Sequence, residues 1–412
     1  MKLFSSMIPQ LTGMTAATVL GWVIGSPPAW ADDAPRSEWS GYMAGELRLF
    51  PEAPLRGGQV VLYPALSAQG EYFRAWDQGH KQLRFTPFVR LDAQDHARSH
   101  VDLRELAVTH LDDANWEVSV GLRKLYWGVT ESRHLVDILN QTDAVEGIDG
   151  EDKLGQPMLS AGFFQDWGTL NLYWMPYFRE RTLPGWQGRP GYFYRVRQNE
   201  ASYESPAQAW HQDFAVRYSH TVDMWDFSLS HFSGTAREPQ LRSKTEASGA
   251  LVLYPYYYQL EQTGLTVQAT TDAWLWKFEG VTRHDLQGRS LAAVGGFEYT
   301  FVGILESDAD LGLISEYMWE EQGNNSLSPF QNDLMVGGRV TLNDTQSTEF
   351  LAGAIADLES HALYLSVEAS RRLGEQWKLS LDGWSNLNLK SSDPLYSRRR
   401  DSMLQLELAR YF

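Results

Sequence analysis

The chain has 412 residues, no cysteine, 13% aromatic residues and a formal charge of −17. The lack of cysteine excludes a disulfide framework, a thiolate metal site and a lipid-anchored cysteine, and the acidic balance excludes nucleic-acid binding by counterion release. A mean hydropathy of −0.38 excludes a bundle of spanning helices, which needs apolar runs of about 20 residues, and the aromatic content excludes a disordered chain. A large soluble β or mixed protein remains, or a barrel whose strands face water on one side and lipid on the other.

In chain order, Met1 and Lys2 precede an apolar stretch from Met14 to Ile24, then Pro27-Pro28, then Ala29-Trp30-Ala31 ahead of Asp32-Asp33. This is the layout of a secretory signal peptide cleaved after Ala31, with a buried N-terminal helix as the alternative. The expected division is a leader at 1–31, a short periplasmic segment at 32–39 and one domain at 40–412. Export without cysteine suits a bacterial periplasm or outer membrane, where folding need not depend on disulfides.

From there the chain reads as strands, by alternation of apolar and polar residues. Leu83, Phe85, Val89 and Leu91 alternate with Arg84, Thr86, Arg90 and Asp92. Val101 to Leu111 alternates poorly, which suggests a bulge or a different register. Trp116, Val118, Val120 and Leu122 alternate with Glu117, Ser119 and Arg123. Later runs are Leu334–Leu342, Leu363–Ser370, Trp377–Asp382 and Leu404–Phe412.

Two kinds of connection interleave. Short turns are expected at Asp77–His80, Asp112–Asn115, Asp166–Gly168, Thr221–Met224, Thr271–Ala273, Ser307–Asp310, Asn343–Gln346 and Gly374–Gln376. Between them fall connections that are usually longer: Thr130–Gln156, Arg179–Ala209 and Gly234–Gly249, with shorter members at Glu52–Gly58, Asp95–Ser99, His284–Ser290, Gln322–Phe330, Glu359–His361 and Lys390–Arg398. Eight turns and nine loops make 18 strands, or 16 if a hairpin is a folded loop. The predicted fold is all-β: a transmembrane, antiparallel, up-and-down barrel with tight periplasmic turns and longer outer loops. Trp116, Trp225, Trp274 and Trp377 each open a strand after a short turn, which places four indoles at one rim of such a barrel.

The last residues, Leu404-Gln405-Leu406-Glu407-Leu408-Ala409-Arg410-Tyr411-Phe412, look like the terminal strand by which outer-membrane barrels are recognised for insertion. Arg410 departs from that pattern, and has to snorkel to the headgroups. With Tyr126-Trp127-Gly128-Val129-Thr130-Glu131-Ser132, Met175-Pro176-Tyr177-Phe178-Arg179-Glu180-Arg181 and Trp274-Leu275-Trp276-Lys277, the chain resembles porin-like outer-membrane proteins of Gram-negative bacteria, including a group with no assigned substrate. The resemblance implies a location in the outer membrane and contact with its lipids and lipopolysaccharide. It also implies recognition by the barrel-assembly machinery through the strand ending at Phe412, and assembly as a homotrimer.

A barrel of 16–18 strands is wide enough for an aqueous channel. The expected function is passive diffusion of small hydrophilic solutes, with a preference for cations or zwitterions. Expected lumen residues are Arg48, Arg84, Arg90, Arg123 and Arg217 with Glu46, Asp92 and Glu117 in the first half. The second half supplies Glu279, Glu298, Glu316, Glu349, Glu368, Asp382 and Glu407 against Lys277, Arg339 and Lys378. Two readings follow: a basic wall facing an acidic one, or cross-strand pairs that keep the lumen wet. Loop Thr130–Gln156 carries Glu131, Asp137, Asp143, Glu146, Asp149, Glu151 and Asp152 against Arg133 and Lys153, and Ser132–Asn140 could form a helical turn. In porins this loop folds inward, and the resemblance implies a constriction here too, with carboxylates selecting cations; a solvated surface loop is the alternative.

Asp149-Gly150-Glu151-Asp152 lacks the ligand spacing of a calcium loop, so no metal and no cofactor is expected. Loop Arg179–Ala209 mixes Arg179, Arg181, Arg189, Arg195 and Arg197 with Trp186, Tyr192, Phe193 and Tyr194, either a surface for lipopolysaccharide phosphates and sugars or a loop packed on its own rings. No histidine stands in a hydrolase motif, so no enzyme is expected. An outer-membrane hydrolase and an adhesive barrel presenting its loops are the alternatives.

Overall fold

The computed structural model describes residues 35–412, apart from 148, 324, 325 and 327. The expected leader, 1–31, lies outside the described residues. Eighteen strands form one sheet. They are β1 (Arg36–Leu49), β2 (Leu62–Trp76), β3 (Lys81–Asp92), β4 (His100–Asp112), β5 (Trp116–Arg123), β6 (Gln156–Gln165), β7 (Gly168–Met175), β8 (Asp213–Val222) and β9 (Trp225–Thr235). The second half is β10 (Gln259–Thr271), β11 (Trp274–Asp285), β12 (Gly288–Phe301), β13 (Asp310–Glu320), β14 (Asn332–Thr341), β15 (Glu349–Asp357), β16 (Leu363–Leu373), β17 (Trp377–Leu387) and β18 (Met403–Tyr411). Each pairs antiparallel with the next, and β18 pairs with β1 from Tyr42↔Tyr411 to Leu49↔Leu404. That last ladder closes the sheet and removes its edges.

Period two explains which way each side chain points. On β18, Leu404, Leu406 and Leu408 are about two-fifths exposed, whereas Gln405 and Ala409 are buried. The exposed parity faces outward, where lipid solvates it in a membrane. Trp116, Trp225, Trp274 and Trp377 each begin a strand after a short turn, so the four stand at one rim, as expected. Arg410 also points outward there, over the Trp377 ring at 5.9 Å and bonded to Gln376 Oε1 at 3.3 Å.

The irregular stretch in β4 is a bulge. Thr86 pairs with Glu105 and Pro87 with Leu103, so Arg104 is the extra residue. It is buried, and the bulge turns two successive charged residues toward the lumen.

Several expected boundaries are corrected. The first strand starts at Arg36 rather than near Ser40, because Arg36–Trp39 pair with the long β2. The inward loop begins at Lys124 rather than Thr130, because Leu125, Trp127 and Gly128 give their backbone N–H groups to Asn140 and Asp137 instead of a neighbouring strand. The outer connection expected at His284–Ser290 is a two-residue turn between β11 and β12. Part of the stretch after Gly249 is not barrel: Gln240–Thr245 and Leu251–Tyr257 form a hairpin in the outer loops, joined by Arg195–Val196 and Ser202–Tyr203.

The hydrophobic core lies inside the barrel. Leu135, Val136, Ile138 and Leu139 of the long loop pack with inward residues of the wall, among them Val281, Val294, Ile314, Met318, Met335 and Ile355. A wholly aqueous lumen would leave these groups wet, so burial under the loop is what stabilises their inward placement.

Candidate functional site: the lumen and the loop across it

The loop 124–155 leaves the end of β5 and crosses to the far wall. In an 18-strand ring the strand opposite β5 is β14, and the loop reaches β11 and β13. Its backbone N–H groups need partners there, and two wall carboxylates supply them. Glu279 Oε1 accepts from Val129 N (2.7 Å), Thr130 N (3.1 Å) and Thr130 Oγ1 (2.8 Å), and its Oε2 accepts from Val136 N (3.1 Å). Glu316 accepts from Glu131 N (2.8 Å), Ser132 N (2.8 Å) and Ser132 Oγ (2.6 Å). Glu131 meets Lys277 at 2.8 Å and Arg339 at 3.3 Å, and Arg133 meets Glu320 at 2.7 Å. Gln262 and Arg237 donate to the carbonyls of Leu135 (3.1 Å) and Leu139 (3.0 Å). The helical turn expected over Ser132–Asn140 does not form, since wall carboxylates take the N–H groups that a helix would use.

On its return the loop meets a buried charge network. Arg90 bridges Glu46 (2.7 Å) and Glu146 (2.7 Å), and Arg98 bridges Glu46 (2.7 Å) and Asp92 (2.9 Å). Arg104 joins Asp143 (2.5 Å) and Asp102 (3.1 Å). Arg48 lies 3.0 Å from Glu46 and donates to the carbonyl of Glu146 at 2.6 Å. His100 Nε2 stands 3.7 Å from Asp143 and 3.5 Å from Glu146, a set of donors of the kind that holds a metal. Here the same carboxylates are bonded to Arg104 and Arg90, so positive charge already occupies that place.

All eighteen expected lumen residues sit on the inward parity of their strands. Arg48 and Arg90 belong to the network above, and Arg84 lies 3.9 Å from Glu105. Glu298 lies 3.5 Å from Arg339. Glu279 and Glu316 hold the loop. Glu368 and Asp382 border a cleft at the loop's tip, with Gln405 Nε2 3.2 Å from Asp382. Arg123 donates to Ser160 Oγ at 2.7 Å, and Arg217 lies 5.5 Å from the Trp127 ring. Within the loop, Asp137 caps Trp127 N (2.5 Å) and Gly128 N (3.0 Å), while Glu131, Asp143 and Glu146 are ion-paired and Asp149 borders the cleft. Most of these charges meet partners on the inward loop or elsewhere on the wall, instead of facing one another as two bare walls or pairing between neighbouring strands.

Sequence reasoning missed Arg98, Arg104, His134, Arg237 and Gln262. Only Arg104 left a signal, the broken alternation of β4.

The outer loops narrow the mouth further. Residues of loop 176–212 reach the opposite side, where Arg189 is bonded to Asp401 (2.8 Å) and to the carbonyls of Glu52 (3.1 Å) and Val60 (3.2 Å). Gln59 and Tyr63 hold its carbonyls at Gly188 (2.8 Å) and Gln187 (2.6 Å). Arg179, Arg181 and Arg197 are also ion-paired, with Asp102, Glu238 and Glu246. Beside this strap lies a vestibule of about 650 Å³, floored by the inward loop. Beneath the strap, between the tip at Ala144–Gly147 and the wall of β16–β18, a cleft of about 30 Å³ remains, room for a water or two.

No protein-family model matches the chain, and no curated protein matches it. Among solved structures, one described as "Asymmetric conductivity of engineered proteins" is similar over 92% of this chain and 100% of its own, with TM-score 0.45 and 13% identity. Mutants of Rhodopseudomonas blastica porin are similar over the same shares, with TM-score 0.43 and 11–13% identity. Values this low carry no inference about family or function.

Proposed function

We propose that the chain is an outer-membrane channel for passive diffusion of small hydrophilic solutes, and that it prefers cations. The closed 18-strand barrel with an outward apolar face supports the location, and the terminal strand ending at Phe412 is the part offered to the assembly machinery. The observation that carries the preference is the cleft at the loop tip. Asp92, Asp95, Glu146, Asp149, Glu368 and Asp382 border it against Arg48, Arg98 and Arg189, so its lining is net acidic. On this reading a small cation passes between the loop tip and the β16–β18 wall, where the narrow cleft limits its size. Carboxylates so placed favour cations at close quarters.

The test is the reversal potential of Glu368→Gln/Asp382→Asn in a planar bilayer under a KCl gradient. The K⁺/Cl⁻ permeability ratio should fall by roughly threefold or more. An unchanged ratio sinks the cation preference, and a purified, folded barrel without conductance sinks the channel itself.

A further inference from the structure

We infer that Arg283 and Asp285 on the vestibule wall form a binding site for a small zwitterion with an apolar substituent, an α-amino acid by chemical class. Most charges around the vestibule are matched: Arg133 with Glu320 (2.7 Å), Arg181 with Glu238 (3.3 Å), Arg237 with Asp213 (2.7 Å), His134 with Glu151 (2.9 Å) and Glu131 with Lys277 (2.8 Å). Arg283 and Asp285 both line it, and among the described residues neither has an opposite charge within 4.0 Å. Arg283 gives its Nε to Gln262 Oε1 (2.7 Å) and its Nη2 to the Leu135 carbonyl (3.4 Å), which leaves Nη1 without an acceptor among the described residues. Asp285 Oδ1 accepts from Gln287 N at 2.8 Å in the turn, which leaves Oδ2 without a donor there.

One strand brings the two together. Both belong to β11 and are two residues apart on the inward parity, so their Cα atoms are about 6.6 Å apart and their side chains leave the wall in the same direction. Gln262 pairs in register with Arg283, and Glu261 with His284, so Leu260 stands opposite Asp285. Leu260, Tyr258 and the loop residue Leu135 are buried members of the core that also border the vestibule, and they put an apolar surface beside the charged pair. Glu320 and Glu238 act on Arg283 from farther off, but each is already bonded to its own arginine. A cavity of about 650 Å³ is of the size that takes a small organic solute. The carboxylate and ammonium of an α-amino acid sit on one carbon. A solute that bonds Arg283 Nη1 with the first therefore reaches Asp285 Oδ2 with the second, while its side chain turns to Leu260 and Tyr258. Both bonds are charge-assisted, and the apolar surface strengthens them by keeping water away.

The site rests on the channel reading only for where the bound solute goes next. Binding is therefore measured without flux, by saturation-transfer NMR titration of L-leucine with the full protein in detergent. Heat-modifiable gel mobility checks that each variant is a folded barrel. Two analogues each lack one charge: isocaproate has no ammonium, and isoamylamine has no carboxylate. Wild type and Arg289→Gln, altered at an exposed residue beside the same turn, should bind leucine roughly tenfold more tightly than either analogue. Arg283→Gln should bring leucine down to the level of isoamylamine. Asp285→Asn, which keeps an acceptor for Gln287 N, should bring it down to the level of isocaproate. Analogues that bind wild type as well as leucine does, or either variant at wild-type affinity, overturn the proposal. A folded wild type without a leucine signal also overturns it, whether or not the barrel conducts. A leucine signal without conductance overturns the channel reading alone and leaves the site standing.

Discussion

Glu279 and Glu316 do for the inward loop what capping residues do for a helix end, since they accept from N–H groups that have no secondary-structure partner. Removing one should therefore cost more than one hydrogen bond. Glu279→Ala leaves the backbone donors of Val129, Thr130 and Val136 unsatisfied, at about 1–3 kcal/mol each if they stay dry. The loop should instead undock, so that single-channel conductance rises and proteolysis between 129 and 140 accelerates; Glu279→Gln should fall between. His134 adds a dependence on pH. Its Nε2 lies 2.9 Å from Glu151 Oε1 and its Nδ1 lies 3.8 Å from Glu279. Burial pushes its pKa down, but the close Glu151 carboxylate and the nearby Glu279 outweigh it and hold the imidazole well above its ordinary value. A raised folded value means that the stabilisation is complete below the ordinary pKa of about 6.5 and is lost as pH rises through the folded value. Conductance noise from loop opening should thus increase on the alkaline side, and His134→Gln should show it already at neutral pH.

At the scale of elements, the inward loop is fastened on both sides of the lumen, by caps on β11 and β13 and by an arginine–carboxylate network on β1, β3 and β4. Arg84→Ala/Arg90→Ala separates two roles. Arg84 touches the lumen at a loose 3.9 Å pair, whereas Arg90 clamps the tip through Glu46 and Glu146. Loss of a partner from a buried pair costs about 3–5 kcal/mol, so this double variant should free the tip and raise conductance as well as shift ion selectivity. Arg84→Ala alone should change selectivity only. The strap from loop 176–212 is tied to the network through Thr182 to Asp143 and Arg179 to Asp102, but Arg189 fastens it at the other end. Arg189→Ala removes its bonds to Asp401, Glu52 and Val60, and should speed proteolysis between 184 and 194 while the heat-modified mobility of the barrel is unchanged.

For the whole molecule, the wall was legible in the sequence and its contents were not. Strand number, the rim tryptophans and the parity of Arg48, Glu279 or Glu316 follow from period two, a local property. The loop's inward course came only from resemblance, and its partners from nowhere, because Thr130 and Glu279 are 149 residues apart and Ser132 and Glu316 are 184 apart. The apolar inward residues of β11–β15 held a hint, since a wet lumen gives Val281, Ile314, Met335 and Ile355 nothing to pack on. Leu125–Gly128 misled in the other direction, as a segment with strand character in which the N–H groups of Leu125, Trp127 and Gly128 are claimed by Asn140 and Asp137.

That separation along the chain also sets an order of assembly. The caps at Glu279 and Glu316 belong to β11 and β13, which follow the loop in the chain, so the N–H groups at 129–136 lack these acceptors until those strands are in place. Contacts so distant form late, after the loop-closure entropy is met by the intervening hairpins. A half-built barrel is accordingly a wider hole than the finished one, and the constriction is the last part of the structure to form. Time-resolved insertion into vesicles should show leakage of a large dye that rises and then falls as the loop docks, and Glu279→Ala should keep the rise and lose the fall.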